Sequence, residues 1–433
     1  MIISMMLAVF AVALVLGLQI AVAVAGSAIV PNIIDSSFPA NASYIIRSMI
    51  AGVDSFTILA LPLFMLSGDI MCKGGVSKKL FDLFALISGK RSAGMPIATV
   101  ITCLFFGAIS GSGPATGAAL GIILIPAMIN RGGFSAPFAS ALMAAASSIA
   151  IVIPPSISFV VYASITGVGV GDMFVGGILP GIMMGLALVV VIMIEVHNKG
   201  LTATREKASW GQRWASFREA FWGFLVPVII LGGIYSGIFT ATEAAVVASV
   251  YGIVIGLFVH RELKLEKLWA IFRDNAAFIA GTMFVMAPSK ATGQVFAYLN
   301  ITKIIANFMF SISTNPYIVL CMIFVIMFIV GMFVQTTPAI VILAPTLLAV
   351  VSQVGIDPIH FGIIMTLALA IAFVTPPVAL NLFVGSSMTG LSIDKIVRAF
   401  MPFLIGLIVA FFIVSFVPAI SLGVLGDWSL TFG

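Results

Sequence analysis

Ala108-Ile-Ser-Gly-Ser-Gly-Pro-Ala-Thr-Gly117 breaks an apolar stretch that runs from about residue 94 to residue 129. Glycine and proline beside three hydroxyl side chains interrupt a helix. At membrane depth, such a break is tolerated only where protein or a polar cavity satisfies the freed backbone groups. We therefore predict a re-entrant helical hairpin with its tip at 110–116. Basic residues flank the stretch on both sides, so the hairpin is expected to enter from the cytoplasm.

The composition of the chain is that of a membrane protein. Of 433 residues, 61% are hydrophobic and 8% are charged, against roughly 25% charged in soluble domains. The runs 2–24 and 400–420 reach the roughly 20 residues that a helix needs to cross the hydrocarbon. These runs do not alternate in polarity as the strands of a membrane barrel do. We predict an all-α polytopic membrane protein.

Charged and metal-ligating residues exclude several functions. The basic clusters at 73–91, 199–218 and 261–273 lie in short loops, which places them in the cytoplasm. Thin loops do not form a nucleic-acid surface, so no nucleic-acid partner is expected. The scattered cysteines and histidines predict no disulfide framework, metal site or cofactor. No cleavable signal pattern is present, so we expect a retained first span, or two short helices split at 17–19.

The second half of the chain repeats several residues of the first half at a nearly constant separation. Pro-Pro occurs only twice, and Pro376 follows Pro154 by 222 residues, as Asp394 follows Asp172. Upstream the separation is 225, from Gly68 to Gly293. We predict two copies of one unit and divide the chain into an N-terminal helix or helical hairpin (1–46), repeat 1 (47–197), a basic cytoplasmic loop with two central scaffold helices (198–272), repeat 2 (273–424) and a tail (425–433).

Each predicted copy contains a hairpin tip and, later, a broken helix. The break of repeat 1 is Ile153-Pro-Pro-Ser-Ile-Ser158, and repeat 2 has the tip Val334-Gln-Thr-Thr-Pro-Ala339 and the break Val374-Thr-Pro-Pro-Val378. If the loops 199–218 and 389–398 are both cytoplasmic, the two broken helices run in opposite directions. Inverted-topology repeats of this kind are typical of secondary transporters, whose site lies near the bilayer midplane.

Tips and breaks together supply two kinds of ligand. Consecutive prolines expose the carbonyls of the preceding turn, and these with hydroxyl oxygens suit a hard cation such as Na⁺. The helix that begins at each tip or break directs amide donors and a partial positive charge at an anion. Simple kinks are the alternative for any one motif, since glycine and proline are common in membrane helices. Four breaks in symmetric pairs favour a shared ion and anion site.

These motifs resemble the large membrane subunit of the tripartite ATP-independent periplasmic (TRAP) transporters. The resemblance covers essentially the whole chain. The motifs that carry it are Gly111-Ser-Gly-Pro-Ala-Thr-Gly-Ala-Ala, Ile125-Pro-Ala-Met, Ile153-Pro-Pro-Ser-Ile, Gly177-Ile-Leu-Pro-Gly, Gly237-Ile-Phe-Thr-Ala-Thr-Glu-Ala-Ala and Val374-Thr-Pro-Pro-Val. The family usually has Thr-Pro-Thr-Glu where this chain has Thr240-Ala-Thr-Glu.

The resemblance implies Na⁺-driven uptake of a small organic anion, such as sialic acid or a C4-dicarboxylate, across the bacterial inner membrane by an elevator motion. It implies a small four-helix membrane subunit and a periplasmic substrate-binding protein as partners, with Na⁺ as the coupling ion. The implied cation ligands are Ser110, Gly111, Ser112, Thr116 and the carbonyls around Pro154 in one site, and Gln335, Thr336, Thr337, Thr375 and Pro376 in the other. The implied substrate contacts are Ser112, Ser156, Ser158 and Asn381.

Other functions stay open as alternatives. A stand-alone Na⁺/dicarboxylate symporter of the same architecture is the main one. Gly169-Val-Gly-Asp172 matches the motif of intramembrane aspartyl proteases, but that chemistry needs a second carboxylate, and no Tyr-Asp partner precedes it. We predict instead that Asp172 and Asp394 are helix N-caps. Glu243, three residues after Thr240, is predicted to complete a capping box, and Asp69 to lie at the membrane interface.

Overall fold

The computed structural model describes residues 2–88, 92–198, 209–376, 379–429 and 431–432. Within these ranges the regular elements are all helices, and eight of them are long and apolar enough to cross a membrane. The predicted all-α polytopic membrane fold is therefore confirmed. Lys90, Arg91, Lys199, Arg205 and Lys207 of the basic clusters lie outside the described residues.

The N-terminal apolar run forms two helices, α1 (Ile2–Val15) and α2 (Ile20–Ile34), which pack against each other. Gly17 has a φ of 75°, and the Leu18 amide donates to the Ala13 carbonyl at 3.0 Å. This pairing is a Schellman helix end, which requires the left-handed backbone that glycine adopts readily. A single span over residues 2–24 is therefore wrong, and the split at 17–19 is correct.

Two stretches of the chain have the same order of helices, except that one long helix at the start of the second stretch takes the place of the first two helices of the first stretch. The first contains α3 (Ala42–Ala51), α4 (Ala60–Lys73), α5 (Val76–Ser88), α6 (Gly94–Ser110), α7 (Gly113–Asn130), α8 (Ala136–Ile149), α9 (Ile157–Thr166) and α10 (Val170–Asn198). The second contains α13 (Leu265–Tyr298), α14 (Ile301–Ile312), α15 (Pro316–Phe333), α16 (Thr336–Val351), α17 (Pro358–Phe373), α18 (Leu380–Thr389) and α19 (Ile393–Phe416). The start of α14 follows that of α5 by 225 residues, and α18 follows α9 by 223.

The central helices α11 (Trp210–Tyr235) and α12 (Ala241–Val254) form a pair between these stretches, and a short π-helix, Ile255–Val259, extends α12. The Thr240 amide donates to the Glu243 carboxylate at 2.8 Å, and the Glu243 amide donates to the Thr240 hydroxyl at 3.3 Å. Both halves of a capping box are present. The prediction for Glu243 is confirmed.

The prediction that Asp172 and Asp394 are N-caps is wrong. Both lie in the first turn of their helix, and Ser392 holds the N-cap position of α19. A carboxylate in the first turn still meets the partial positive charge of the helix start without capping it.

Small side chains allow close packing at the centre of the molecule. Nearly every residue of α8, which reads Ala-Pro-Phe-Ala-Ser-Ala-Leu-Met-Ala-Ala-Ala-Ser-Ser-Ile, is buried, and so is nearly all of α17. The short helices that follow the breaks pack across the two stretches, because α9 contacts α16 and α18 contacts α7. Each break is thereby held against the hairpin of the other stretch.

Candidate functional site

The first hairpin tip forms at the predicted place. Helix α6 ends at Ser110, Gly111 adopts a φ of 62°, and the Ser112 hydroxyl caps α7 by accepting from the Ala115 amide at 3.4 Å. The hydroxyls of Ser110 and Thr116 lie 2.9 Å apart, and Thr116 also donates to the Ser112 carbonyl at 2.8 Å. Three hydroxyl side chains are thus gathered at the tip, and Ser110 and Thr116 are fully buried.

The first tip is joined to the first break through the backbone. The Ile157 amide, at the start of α9, donates to the Gly111 carbonyl at 3.2 Å. The Ser156 hydroxyl caps α9 by accepting from the Phe159 amide at 3.3 Å. A Cβ at Gly113 would lie 2.9 Å from the Ser147 carbonyl oxygen of α8. Tip and break therefore form one closely packed unit around the predicted Pro154 turn.

The second tip and break have a similar form. Val334 and Gln335 are extended between α15 and α16, and α16 begins at Thr336. The Thr375 hydroxyl donates to the Ile371 carbonyl at 2.8 Å, at the end of α17. The chain is described as far as Pro376, whereas Pro377 and Val378 of the predicted break lie outside the described residues. It resumes at Ala379, whose φ is 49°.

Asn381 ties the second break to the first stretch. Its Nδ2 donates to the Ser147 hydroxyl of α8 at 3.1 Å. Its Oδ1 is buried without a hydrogen-bond partner in the described structure, as is the hydroxyl of Ser158. Unpaired buried polar atoms are costly, so these two positions stand out among the predicted substrate contacts.

Both tips line one cavity of about 80 Å³, here called the tip cavity. It is formed by Gly111, Ser112 and Pro114 from the first tip and by Gln335, Thr336 and Thr337 from the second. None of the residues that line it is charged. Its volume has room for a small ion with a few water molecules. Of the predicted site residues, Ser110, Thr116, Pro154, Ser156, Ser158, Thr375, Pro376 and Asn381 lie outside this lining, in the tips and breaks themselves.

Sequence reasoning missed one wall of the tip cavity. Leu61 and Met65 of α4 and Phe278 and Thr282 of α13 also line it. Three of these four residues are apolar and sit inside unbroken helices, so no local signal separates them from residues that face lipid. The site thus lies between a body of hairpins and broken helices and a wall made by α4 and α13.

Residues 3–420 match the protein family described as "Tripartite ATP-independent periplasmic transporter, DctM component". The chain belongs to this family. It is 40% identical to the C4-dicarboxylate TRAP transporter large permease protein of Pseudomonas aeruginosa over 87% of each chain. It is also 40% identical to the isethionate TRAP transporter permease protein of Oleidesulfovibrio alaskensis, covering 95% of this chain and 65% of that relative's length.

Solved structures share the fold at much lower identity. The YdaH transporter of Alcanivorax borkumensis aligns with a TM-score of 0.61 at 13% identity, over 91% of this chain and 90% of that one. MtrF of Neisseria gonorrhoeae aligns with a TM-score of 0.56 at 13% identity, over 88% and 85%.

The chain is therefore a multi-pass inner-membrane protein and a transporter permease subunit rather than an enzyme. Those predictions are confirmed.

Proposed function

We propose that this permease takes up a small organic anion, of the C4-dicarboxylate or sialic acid class, coupled to Na⁺. The observation that carries the proposal is the meeting of both hairpin tips at one uncharged cavity. Hydroxyl and carbonyl oxygens at the tips are the ligands that a hard cation prefers. Helices α7, α9 and α16 begin at the tips and at the first break, and the partial positive charge of a helix start favours an anion.

The names of relatives favour a small anionic or zwitterionic substrate. They are C4-dicarboxylate, isethionate, 2,3-diketo-L-gulonate and ectoine permeases, at 32–40% identity. Of the two proposed substrate classes, C4-dicarboxylates match the substrates in these relatives' names more closely than sialic acid does.

The proposed motion is an elevator. The hairpins and broken helices pack on one another through backbone contacts, such as that between Ile157 and Gly111, and this body meets α4 and α13 at the cavity. A body held together by such contacts can slide as a unit past a fixed wall.

The proposed partners are a small four-helix membrane subunit and a periplasmic substrate-binding protein. The family to which the chain belongs is described as one component of a tripartite transporter, which supports the presence of further components. A stand-alone symporter would work without either partner.

The test is uptake into vesicles that contain the purified permease, with and without a candidate small subunit and a candidate periplasmic binding protein. We expect uptake of a labelled C4-dicarboxylate only with all three components and with external Na⁺. Undiminished uptake after Na⁺ is replaced by choline, with no proton gradient, would overturn the coupling. Full uptake by the permease alone would establish the symporter.

A further inference from the structure

A second cavity, here called the mouth cavity, continues from the tip cavity. It has a volume of about 210 Å³ and lies between α4, α7 and α13. Met65, Pro114 and Phe278 line both cavities, so the two are adjacent. Along α13, Asn275 lies seven residues before Thr282, about 10 Å at the helical rise. The mouth cavity therefore extends from the tips toward the end of α13 that carries Arg273.

The lining of the mouth cavity is acidic. Among the described residues that form it, only Asp69, Asp274 and Asn275 are polar. Lys73 Nζ lies 3.6 Å from Asp69 Oδ2, and Arg273 Nη2 lies 3.0 Å from Asp274 Oδ1. Neither basic side chain belongs to the lining. Such partly exposed ion pairs hold their partners weakly, so the carboxylates remain available to a mobile cation.

Asn275 supplies an oxygen that lacks a donor. The residue is only 4% exposed, and its Nδ2 donates to Asp69 Oδ2 at 2.8 Å. This bond fixes the orientation of the amide, and Asn275 Oδ1 is left buried without a hydrogen-bond partner among the described residues. A buried unpaired carbonyl oxygen costs free energy unless a donor or a cation meets it. Asn275 and the Asp69 carboxylate thus offer oxygen ligands of the kind that a hard cation such as Na⁺ takes, and both line the same cavity.

We propose that Asp69, Asn275 and Asp274 form a weak Na⁺ site in the mouth cavity, separate from the ion sites at the hairpin tips. The proposal rests on the Na⁺ coupling proposed above. The basic clusters around Lys73 and Arg273 place this end of α4 and α13 at the cytoplasm. The site would hold a coupling ion between the tip cavity and the cytoplasm, and its negative lining would disfavour re-entry of the anionic substrate.

The experiment is binding of ²²Na⁺ to the purified full-length permease, with choline replacing Na⁺ at constant ionic strength. We expect a tight phase from the tips and a weak phase from the mouth cavity. Asp69→Asn should raise the dissociation constant of the weak phase at least about fivefold, because a unit charge about 4 Å away contributes about that factor in water and a coordinating carboxylate lies closer. Lys73→Gln should lower it by a similar factor, because Lys73 competes for the same carboxylate.

The controls separate this site from the rest of the protein. Asp82 is paired with Arg131 at 3.6 Å and lies on α5, outside the mouth cavity, so Asp82→Asn should change neither phase. Ser112→Ala combined with Thr337→Ala should weaken only the tight phase. Asn275→Leu, checked for an unchanged melting temperature, should weaken only the weak phase and covers the case in which Asp69→Asn fails to fold.

Two results would be adverse and can be told apart. In the first, the tight phase is intact and the weak-phase dissociation constant is the same in Asp69→Asn, Lys73→Gln, Asn275→Leu and the control Asp82→Asn. This result would overturn the mouth site and leave the Na⁺ coupling proposal in place. If the wild-type permease binds no Na⁺ above the choline background, both the mouth site and the coupling proposal are wrong.

Discussion

The Ile157 amide donates to the Gly111 carbonyl at 3.2 Å, which joins the start of one short helix to the tip of a hairpin 46 residues earlier in the chain. A Cβ at Gly111 would lie 3.0 Å from the Ile157 nitrogen and from the Pro155 carbonyl oxygen. Backbone therefore meets backbone at the tip, and the spacing leaves no room for a side chain.

Gly111→Ala should lower both stability and transport. The residue has a φ of 62°, which costs a non-glycine residue roughly 1–2 kcal/mol, and the new methyl group would push the tip away from the break. Gly133→Ala is the matched control. Gly133 has a similar φ of 69°, but a Cβ added there would have no atom within 4 Å. We expect a loss of melting temperature in both variants, and a large loss of uptake in Gly111→Ala alone. Equal uptake in the two variants would contradict the close contact.

Ser112→Ala should raise the Na⁺ concentration needed for half-maximal uptake. The change removes a hydroxyl from the tip cavity and the N-cap of α7, and cap loss alone costs about 1 kcal/mol. Ser209→Ala removes an equivalent cap from α11, away from the tip cavity. The two variants should therefore melt at similarly reduced temperatures, and only Ser112→Ala should shift the Na⁺ dependence of uptake. A shift shared by both would assign the effect to helix stability.

The positions of tips and breaks could be predicted because their signals are local. Glycine, proline and hydroxyl residues end a helix wherever they cluster, so the tip at 110–116 falls on the observed turn at Gly111 and Ser112. The predicted breaks likewise coincide with the gap between α8 and α9 and with the end of α17. The local sequence is therefore enough to predict these helix ends, and the residues that pack against them do not have to be known.

The wall of the cavity could not be predicted, because it depends on packing. Phe278 and Thr282 lie in the middle of α13, which is continuous where the first stretch breaks between α3 and α4. At that place the first stretch reads Gly52-Val-Asp-Ser and the second reads Ala277-Phe-Ile-Ala, 225 residues later. Glycine, aspartate and serine favour a helix end, whereas alanine favours its continuation. The 225-residue separation alone does not reveal this difference between the two copies.

Asn381→Leu should impair recognition of the substrate more than it impairs folding. The side chain is buried, and its Oδ1 has no partner among the described residues. Ser147→Ala is the control, because it removes the hydroxyl that accepts the 3.1 Å hydrogen bond and leaves the Asn381 side chain itself unchanged. Loss of one partner of a buried hydrogen bond costs roughly 1–3 kcal/mol, so both variants should be destabilised. We expect the KM for the organic anion to rise severalfold only in Asn381→Leu; an unchanged KM would remove Asn381 from the predicted substrate contacts.

Glu243→Gln should leave transport and its pH dependence unchanged. Glu243 is an acidic residue at the start of a membrane-spanning helix, a position where a proton-coupling role is the usual hypothesis. Its carboxylate instead accepts from the Thr240 amide at 2.8 Å and from the Thr240 hydroxyl at 2.9 Å. Glutamine keeps an oxygen acceptor and preserves the capping box, whereas Glu243→Ala removes it and should lower the melting temperature by the equivalent of about 1 kcal/mol. Uptake measured across a pH series separates the two roles. A pH profile altered by Glu243→Gln would show that the carboxylate titrates during transport. A profile identical to that of the wild type would show that Glu243 only caps the helix.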